Sequence, residues 1–478
     1  MLVMPLTLFI IAWAVSFIKS RAQMSRTEWI AAFGIGALMI GALKPTNTWD
    51  LYTFFPFAAL AAIYAINRHF EWKNRFHLSD WLGRALLSIA VVIGLYLLGS
   101  LMYSPFDFWY SQAYNSVDPW TASHTPLSSY FTHWGLFLFI IAAWLFWEVR
   151  QWMAATPVSH LKKLRDYPLL IEIGLAAVLA LFSFFVMEGV SIALVALPLA
   201  VLAGLLLLRP NMPGVKRAAL LMIGTGLALT LAVEVITLRG DIGRMNTIFK
   251  LYMQVWMLFA VSAAAAFGWL LDEFPFWKLR WRTIYQTGLY LLLAGAFMYT
   301  VTATTDKISD RITDVTPRTL DGMTYMNYAQ HYDGGMMDLS EDYRAIRWMQ
   351  DTVQGSPVIV EANCTEYRWC TRFTIYTGLP GVVGWNWHQR QQRGFASTDV
   401  QQRVDDIGVF YSTPDIESAR AFLAKYQVKY IVVGQLERNI YPAFSPAADG
   451  LAKFEKYDGK YWKAVYHDKN TTIYEVLP

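Results

Sequence analysis

Arg239-Gly-Asp-Ile-Gly-Arg-Met-Asn-Thr-Ile-Phe-Lys250 is a polar, basic insert between two long apolar runs, 218–238 and 251–271. Each run has the roughly 20 apolar residues needed to cross a bilayer, so the insert sits at a membrane surface. Of the 478 residues, 55% are hydrophobic and 16% charged, against about 25% charged in an ordinary soluble protein. The deficit lies in the first part of the chain. Residues 1–303 are expected to form an α-helical polytopic membrane domain, and residues 304–478 a soluble α/β domain. The net charge of +4 points to no particular partner. Nothing in the sequence suggests nucleic-acid binding, a nucleotide-phosphate loop, a redox cofactor, an internal repeat or a low-complexity tract.

Ten apolar segments are legible, near 2–18, 29–43, 51–66, 82–103, 130–148, 168–187, 189–208, 218–238, 247–271 and 284–302. The second and third are short and are separated by Lys44-Pro-Thr-Asn-Thr-Trp-Asp50, so a re-entrant pair competes with two crossings. Alternate connections are basic: Lys19, Arg21 and Arg26; Arg68, Lys73, Arg75 and Arg84; Arg150, Lys162, Lys163 and Arg165; Arg209, Lys216 and Arg217; Lys278, Arg280 and Arg282. Basic loops stay in the cytoplasm. The N-terminus, the cation-free loop 104–129, the insert 239–250 and the tail then lie outside a plasma membrane. The first segment lacks a basic n-region, and Lys19, Arg21 and Arg26 follow it where a cleavage site would stand, so it is taken as a span.

The tail alternates strand and helix patterns. Strands are expected at 357–361 and 428–433, a helix at 416–426 with Ala419, Phe422 and Leu423 on one face, and a closing hairpin from 461–466 and 472–476. Ser340 is expected to cap a further helix. Cys364 and Cys370 are the only cysteines, and outside the cytoplasm their spacing allows a local disulfide; two free thiols are the other reading.

Cations are rare on the outer face, so Arg239, Arg244 and Lys250 together want a reason. Asn246, Lys250 and Gln254 stand at i, i+4 and i+8, one polar stripe descending into the membrane. Arg244 and Lys250 suit a lipid-linked phosphate; an internal ion network with Glu234 and Asp241 is the bland alternative. Asp50, Asp107 and Asp118 are the candidate catalytic carboxylates, suited to deprotonating an acceptor hydroxyl or holding a divalent metal. Asp50 leads, because a short polar turn flanks it. Phe106, Phe108, Trp109, Tyr110, Tyr114 and Trp120 fit an interfacial belt or sugar-stacking platforms. His124 and His133 are a weak metal pair, Glu188 sits in a tight outer turn, and Glu172 is expected to be a hydrogen-bonded structural carboxylate within the sixth segment. In the tail, Trp385, Trp387, His388, Arg390 and Arg393 follow glycines at 378, 381 and 384, a pattern that suits a sugar and a phosphate or a packing loop.

Asn47-Thr-Trp-Asp50, Arg244-Met-Asn-Thr-Ile-Phe-Lys250, Thr377-Gly-Leu-Pro-Gly-Val-Val-Gly-Trp385 with His388 and Arg393, and the stretch from Val428 to Arg438 together resemble the YYY (Chlor_Arch_YYY) family of uncharacterised polytopic membrane proteins. The resemblance runs from about residue 40 to the end. The family's layout is similar to that of GT-C glycosyltransferases, which move a sugar from a polyprenyl-phosphate donor on the outer face. This resemblance implies an inverting transferase. Arg239, Arg244, Asn246 and Lys250 would bind the donor phosphate, one of the three aspartates would act, and Trp385, His388 and Arg393 would contribute from the tail. The chain has no tyrosine triplet, and its N-terminus falls outside, whereas GT-C enzymes start in the cytoplasm. The expectation is therefore that an odd number of spans is missing or sits on a second membrane chain. A transporter or flippase of an anionic lipid or solute, and a non-catalytic half of a split enzyme, are the alternatives.

Overall fold

The computed structural model describes residues 3–19, 25–69, 79–111, 116–157, 159, 167–312, 314–441 and 450–478. Arg21, Lys73, Arg75, Tyr114, Lys162, Lys163 and Arg165 lie outside them. The chain forms two compact units, 1–108 with 114–302, and 109–113 with 303–478.

The first unit is helical: α1 (Val3–Lys19), α2 (Arg26–His69), α3 (Asp80–Met102), α4 (Ser104–Trp109), α5 (Leu127–Ala155), α6 (Pro168–Met187), α7 (Ala193–Leu208), α8 (Gly214–Ala232), α9 (Met245–Glu273) and α10 (Leu279–Arg311). A two-stranded ribbon pairs β1 (Val117–Pro119) with β2 (Ile236–Leu238). Seven of the described helices are long and apolar enough to cross a membrane, and α1 and α7 are shorter apolar helices. The apolar segments of the sequence overlap these helices, but 218–238 runs past the end of α8 into β2, and 189–192 precede α7.

Two of the ten share α2. At 1.5 Å per residue, its 44 residues would reach about 66 Å, twice the hydrocarbon thickness. The helix is broken at Asn47, where φ −161 and ψ 100 leave the helical region. Phe33 of the first arm meets the Gly94 position of α3, and Phe55 of the second arm packs on Tyr96 two residues along. Both arms therefore lie against the same band of α3, and α2 folds back on itself. Glycines make the close approaches: a Cβ on Gly41 would overlap the Gly99 carbonyl, and one on Gly226 would overlap the Phe259 ring. Small residues at such crossings bring helices near enough for dispersion to hold them in an apolar solvent.

Polar contacts sort to two ends of this unit. At one end Lys44 meets Asp107, Arg239 meets Asp118, and Ser191 donates to the Thr125 carbonyl. At the other, Arg84 donates to the Asn67 carbonyl, His69 lies by the Ile18 carbonyl, and Glu148 pairs with Lys216 and Arg209. These are the two sets of loops that the charge alternation separates. Among the described residues, the apolar windows of α6 and α10 are largely exposed, the condition of a helix solvated by lipid.

In the second unit, β3 (Gln330–Tyr332) and β4 (Met336–Asp338) form a ribbon. α11 (Leu339–Thr352), β5 (Val358–Val360), α12 (Arg372–Thr377), α13 (Asn386–Gln392), α14 (Ser397–Ser412), α15 (Ile416–Tyr426), β6 (Val428–Val433), α16 (Gln435–Ile440), α17 (Ala452–Lys456), β7 (Trp462–Asp468) and β8 (Thr471–Val476) follow. The sheet order is β5-β6-β8-β7, with β5 and β6 parallel and the rest antiparallel. The apolar runs Val358-Ile-Val360 and Val428-Lys-Tyr-Ile-Val-Val433 give its two parallel strands, and Ala419, Phe422 and Leu423 of α15 are buried. One cap differs from expectation. Asp338, not Ser340, caps α11 by accepting from the Ser340 amide, because a carboxylate is the stronger acceptor. Ser340 instead accepts from Arg344.

Candidate functional site

The insert 239–250 is a turn built on Gly240 (φ 81) and Gly243 (φ 62), both in the left-handed region that glycine adopts without strain. Asp241 follows the first glycine and caps α9. Its carboxylate accepts from the Asn246 and Thr247 amides at 3.1 and 2.8 Å, and from both of their side chains. Burial pushes this carboxyl up, but those hydrogen bonds outweigh it and hold it below the usual range. Asn246, the top of the polar stripe, is thus tied to Asp241.

Arg244 turns away from the stripe. It pairs with Glu234 at 2.9 Å, donates to the Val233 carbonyl at 2.7 Å, and lies over the Trp120 ring. Glu234 is fully buried and also accepts from the Thr125 amide and hydroxyl, with His124 3.4 Å away. Arg239 forms an exposed fork with Asp118 across the β1–β2 ribbon. Asp107 pairs with Lys44 at 2.7 Å. The structure therefore pairs Arg239 and Arg244 with carboxylates of the chain, and does the same for Asp107 and Asp118 with cations. His133 stacks among Trp134 and Tyr252, apart from the His124–Glu234 contact. Glu172 is exposed near the start of α6, contrary to the expected structural role: that helix is largely exposed, and among the described residues no hydrogen-bond donor reaches it. Glu188 is exposed in the α6–α7 turn. Among the described residues no three His, Cys, Asp or Glu side chains converge as metal ligands.

Asp50 stands differently. It is 3% exposed, one turn below the α2 break, and accepts from the Asn47 side chain at 2.9 Å. On the facing helix, Lys250 lies in electrostatic range of both Asp50 and Asp241 and over the Trp49 ring. One turn deeper, buried Gln254 accepts from the Thr53 hydroxyl. The stripe Asn246–Lys250–Gln254 is thus met from α2 by Asp50 and Thr53. Beside Asp50 and Gln254 is a cavity of about 10 Å³, about the size of one water, lined by Val3, Met4 and Thr7 of α1 with Phe54, Met253 and Met257.

In the second unit, Gly378 (φ 74) ends α12, and Trp385 precedes α13. Trp385 and His388 lie 5.4 Å apart, while Arg393 is exposed at the end of α13. Arg390 lies over Trp387 and is held by Asn386 and Gln401. Cys364 and Cys370 are joined in a disulfide. Sequence reasoning missed a buried knot beneath this region. Arg372 meets Asp342, Glu361 and Glu437, all four buried. Charged residues just beyond apolar strands, Glu361 after β5 and Glu437 after β6, were its legible signal. Burial would raise Glu437, but Arg372 and the Ala362 and Gly434 amides hold it below its ordinary value.

A family model described as "Uncharacterized membrane protein (DUF2298)" matches residues 1–259, more than half of the chain. The match takes in Asn47–Asp50 and Arg244–Lys250 and stops short of the tail. No curated protein matches the chain.

Proposed function

The chain belongs to that membrane-protein family, and from this premise we propose that it is a membrane glycosyltransferase using a polyprenyl-phosphate-linked sugar. The observation that carries the proposal is the meeting of Asp50, a buried carboxylate, with the Lys250 stripe across α2 and α9. Ionisable groups buried within a membrane domain are costly and mark functional sites. In this proposal all ten apolar segments cross the membrane, with the N-terminus, Asp50, Lys250 and the second unit outside.

The proposed reaction balances as an inverting displacement. An acceptor hydroxyl attacks the anomeric carbon, the bond from that carbon to the phosphate oxygen breaks, and Asp50 takes the hydroxyl proton. The lipid phosphate leaves with its electron pair and is neutralised by Lys250. A carboxylate and an ammonium on facing helices suit those roles, as proton acceptor and anion partner. Arg239 and Arg244 then act through Asp118 and Glu234, fixing the turn from which α9 starts. The cavity of about 10 Å³ beside Asp50 is smaller than a sugar, so an acceptor needs more room there than this conformation gives. The resemblance of the family's layout to GT-C enzymes, read from the sequence, is the further support, as analogy only.

Native mass spectrometry of gently purified protein tests the donor. A polyprenyl-phosphate adduct retained by wild type and by Asp50→Asn, but lost in Lys250→Ala, is the expected result. An adduct indifferent to Lys250 would remove the assignment, and transport of an anionic lipid would become the leading account.

A further inference from the structure

We infer that the surface formed by Tyr367, Trp385 and His388 in the second unit is a carbohydrate-binding site that stacks a pyranose ring. The choice of ligand class rests on the glycosyl-transfer proposal; the site itself stands on its own geometry.

Three rings meet there, one from the 364–370 loop and two from the start of α13. Tyr367 lies 6.0 Å from Trp385 and 5.9 Å from His388, and Trp385 and His388 are 5.4 Å apart. They are not core. Tyr367 is 82% exposed and Trp385 37%, and neighbouring Trp387 is 47% exposed. Tyr367 also has φ 63, a left-handed conformation in which a bulky side chain is strained. Such strain persists only where the surroundings impose it, and it clusters at ligand sites. Here Tyr367 sits at the middle of the loop closed by the Cys364–Cys370 disulfide.

The floor beneath the rings is rigid. Asn386 donates to the Asn363 side chain at 2.9 Å and to the Cys364 carbonyl at 3.0 Å. Asn363 donates to the Gly384 carbonyl, and the Trp387 amide donates to Glu366. The loop carrying Tyr367 and the helix carrying His388 are thereby locked together. A set of aromatic faces held open to water, on a base with no slack, is pre-organised for a flat, partly apolar ligand. A pyranose presents an apolar C–H face to such rings and hydroxyls at its rim. The half-buried Arg390 guanidinium, over Trp387 on the helix that carries His388, is the group offered to those hydroxyls.

The test is saturation-transfer NMR on the full chain in a detergent without a sugar headgroup, with methyl α-D-mannopyranoside and methyl β-D-glucopyranoside as probes. Transfer to at least one glycoside is expected, with affinity falling roughly tenfold in Trp385→Ala and Tyr367→Gly. Tyr367→Gly removes the ring while suiting the left-handed backbone, so its melting temperature should hold or rise, and lost binding in it is not misfolding. Tyr367→Phe should bind as wild type does. No transfer to either glycoside, or transfer unchanged in Trp385→Ala and Tyr367→Gly, overturns the site. Wild type that binds glycoside but carries no polyprenyl-phosphate adduct would uphold this site while the donor proposal falls.

Discussion

Arg244 shows how far one residue's role depends on its neighbour. The sequence supplies the cation and the nearby Glu234, but the decision between ligand and ion pair rests on Thr125, 119 residues away from Arg244, which supplies the other hydrogen bonds to the carboxylate. Removing one partner of a buried pair costs about 3–5 kcal/mol, because the other charge is left stranded. Glu234→Leu and Arg244→Leu should each lower the thermal stability of the detergent-solubilised protein by that order, and the double variant by less than the sum. Additive losses, or an unchanged melting temperature in Arg244→Leu, would return Arg244 to the ligand-binding set. The second unit holds two groups whose titration is equally local. Burial against the Phe410 and Phe454 rings pushes Lys453 from 10.5 down to about 7. Between those pH values the unfolded chain binds a proton that the native one has shed, so stability rises with pH, by up to about 1.4 kcal/mol per pH unit. Burial pushes Glu361 the other way, from 4.5 up to about 7, against the pull of Arg372 and the Phe373 and Thr374 amides. There the native state keeps a proton that the unfolded chain has lost, so stability falls as pH rises from 4.5 to 7. Thermal unfolding of the full chain against pH should show a falling limb flattened by Glu361→Gln and a rising limb flattened by Lys453→Met. Limbs that survive these substitutions would assign the slopes to other groups.

Elements were legible where the pattern was local and obscure where it was not. The strands at 357–361 and 428–433 and the helix at 416–426 follow from runs and spacings within a few residues, and β5, β6 and α15 lie there. The stripe Asn246–Lys250–Gln254 was legible for the same reason, since i, i+4 and i+8 share a face of α9 whatever surrounds it. Its counterpart on α2 was only half legible. Asp50 could be picked out by its polar turn, but Thr53 gains meaning only from Gln254 across the helix contact. Tyr367 could not be found at all from sequence, because its role lies in a left-handed backbone and two rings from the start of α13. The glycines of the membrane helices are similar: the sequence shows which they are, and only packing shows which matter. Gly41→Ala would drive a methyl group into the Gly99 backbone, whereas the Gly135 position in α5 is open space. Gly41→Ala should destabilise by about 1–3 kcal/mol, as overpacking does. Gly135→Ala should be neutral or mildly stabilising, since alanine is the better helix former. Equal melting temperatures for the two variants would mean that the α2–α3 contact yields without cost.

At the scale of the whole molecule, charge alternation and folding lead to the same sorting of loops by different routes. Lysines and arginines alternate because translocating them is costly. Independently, the loops of one set share ion pairs with each other, as Lys44 with Asp107 and Arg239 with Asp118, and those of the other set meet through Glu148, Lys216 and Arg209. Helix α2 is the place where this sorting can fail. If both arms cross, the apex at Thr46 lies on the outer face while Thr27 and Asn67 lie in the cytoplasm. If the arms form a re-entrant pair, all three open on one side. Single cysteines at these exposed positions, with Ser123→Cys before α5 and Gln151→Cys in its last turns as references, can be probed in intact cells with a membrane-impermeant maleimide. The native pair is already joined in a disulfide and stays silent. Labelling of Thr46→Cys and Ser123→Cys, with protection of Thr27→Cys, Asn67→Cys and Gln151→Cys until the membrane is opened, is the expected pattern. It would place Asp50 and Lys250 at the outer face, where a lipid-linked donor could meet them. Protection of Thr46→Cys beside a labelled Ser123→Cys would turn α2 inward, and Asp50 could then serve no reaction on the outer face.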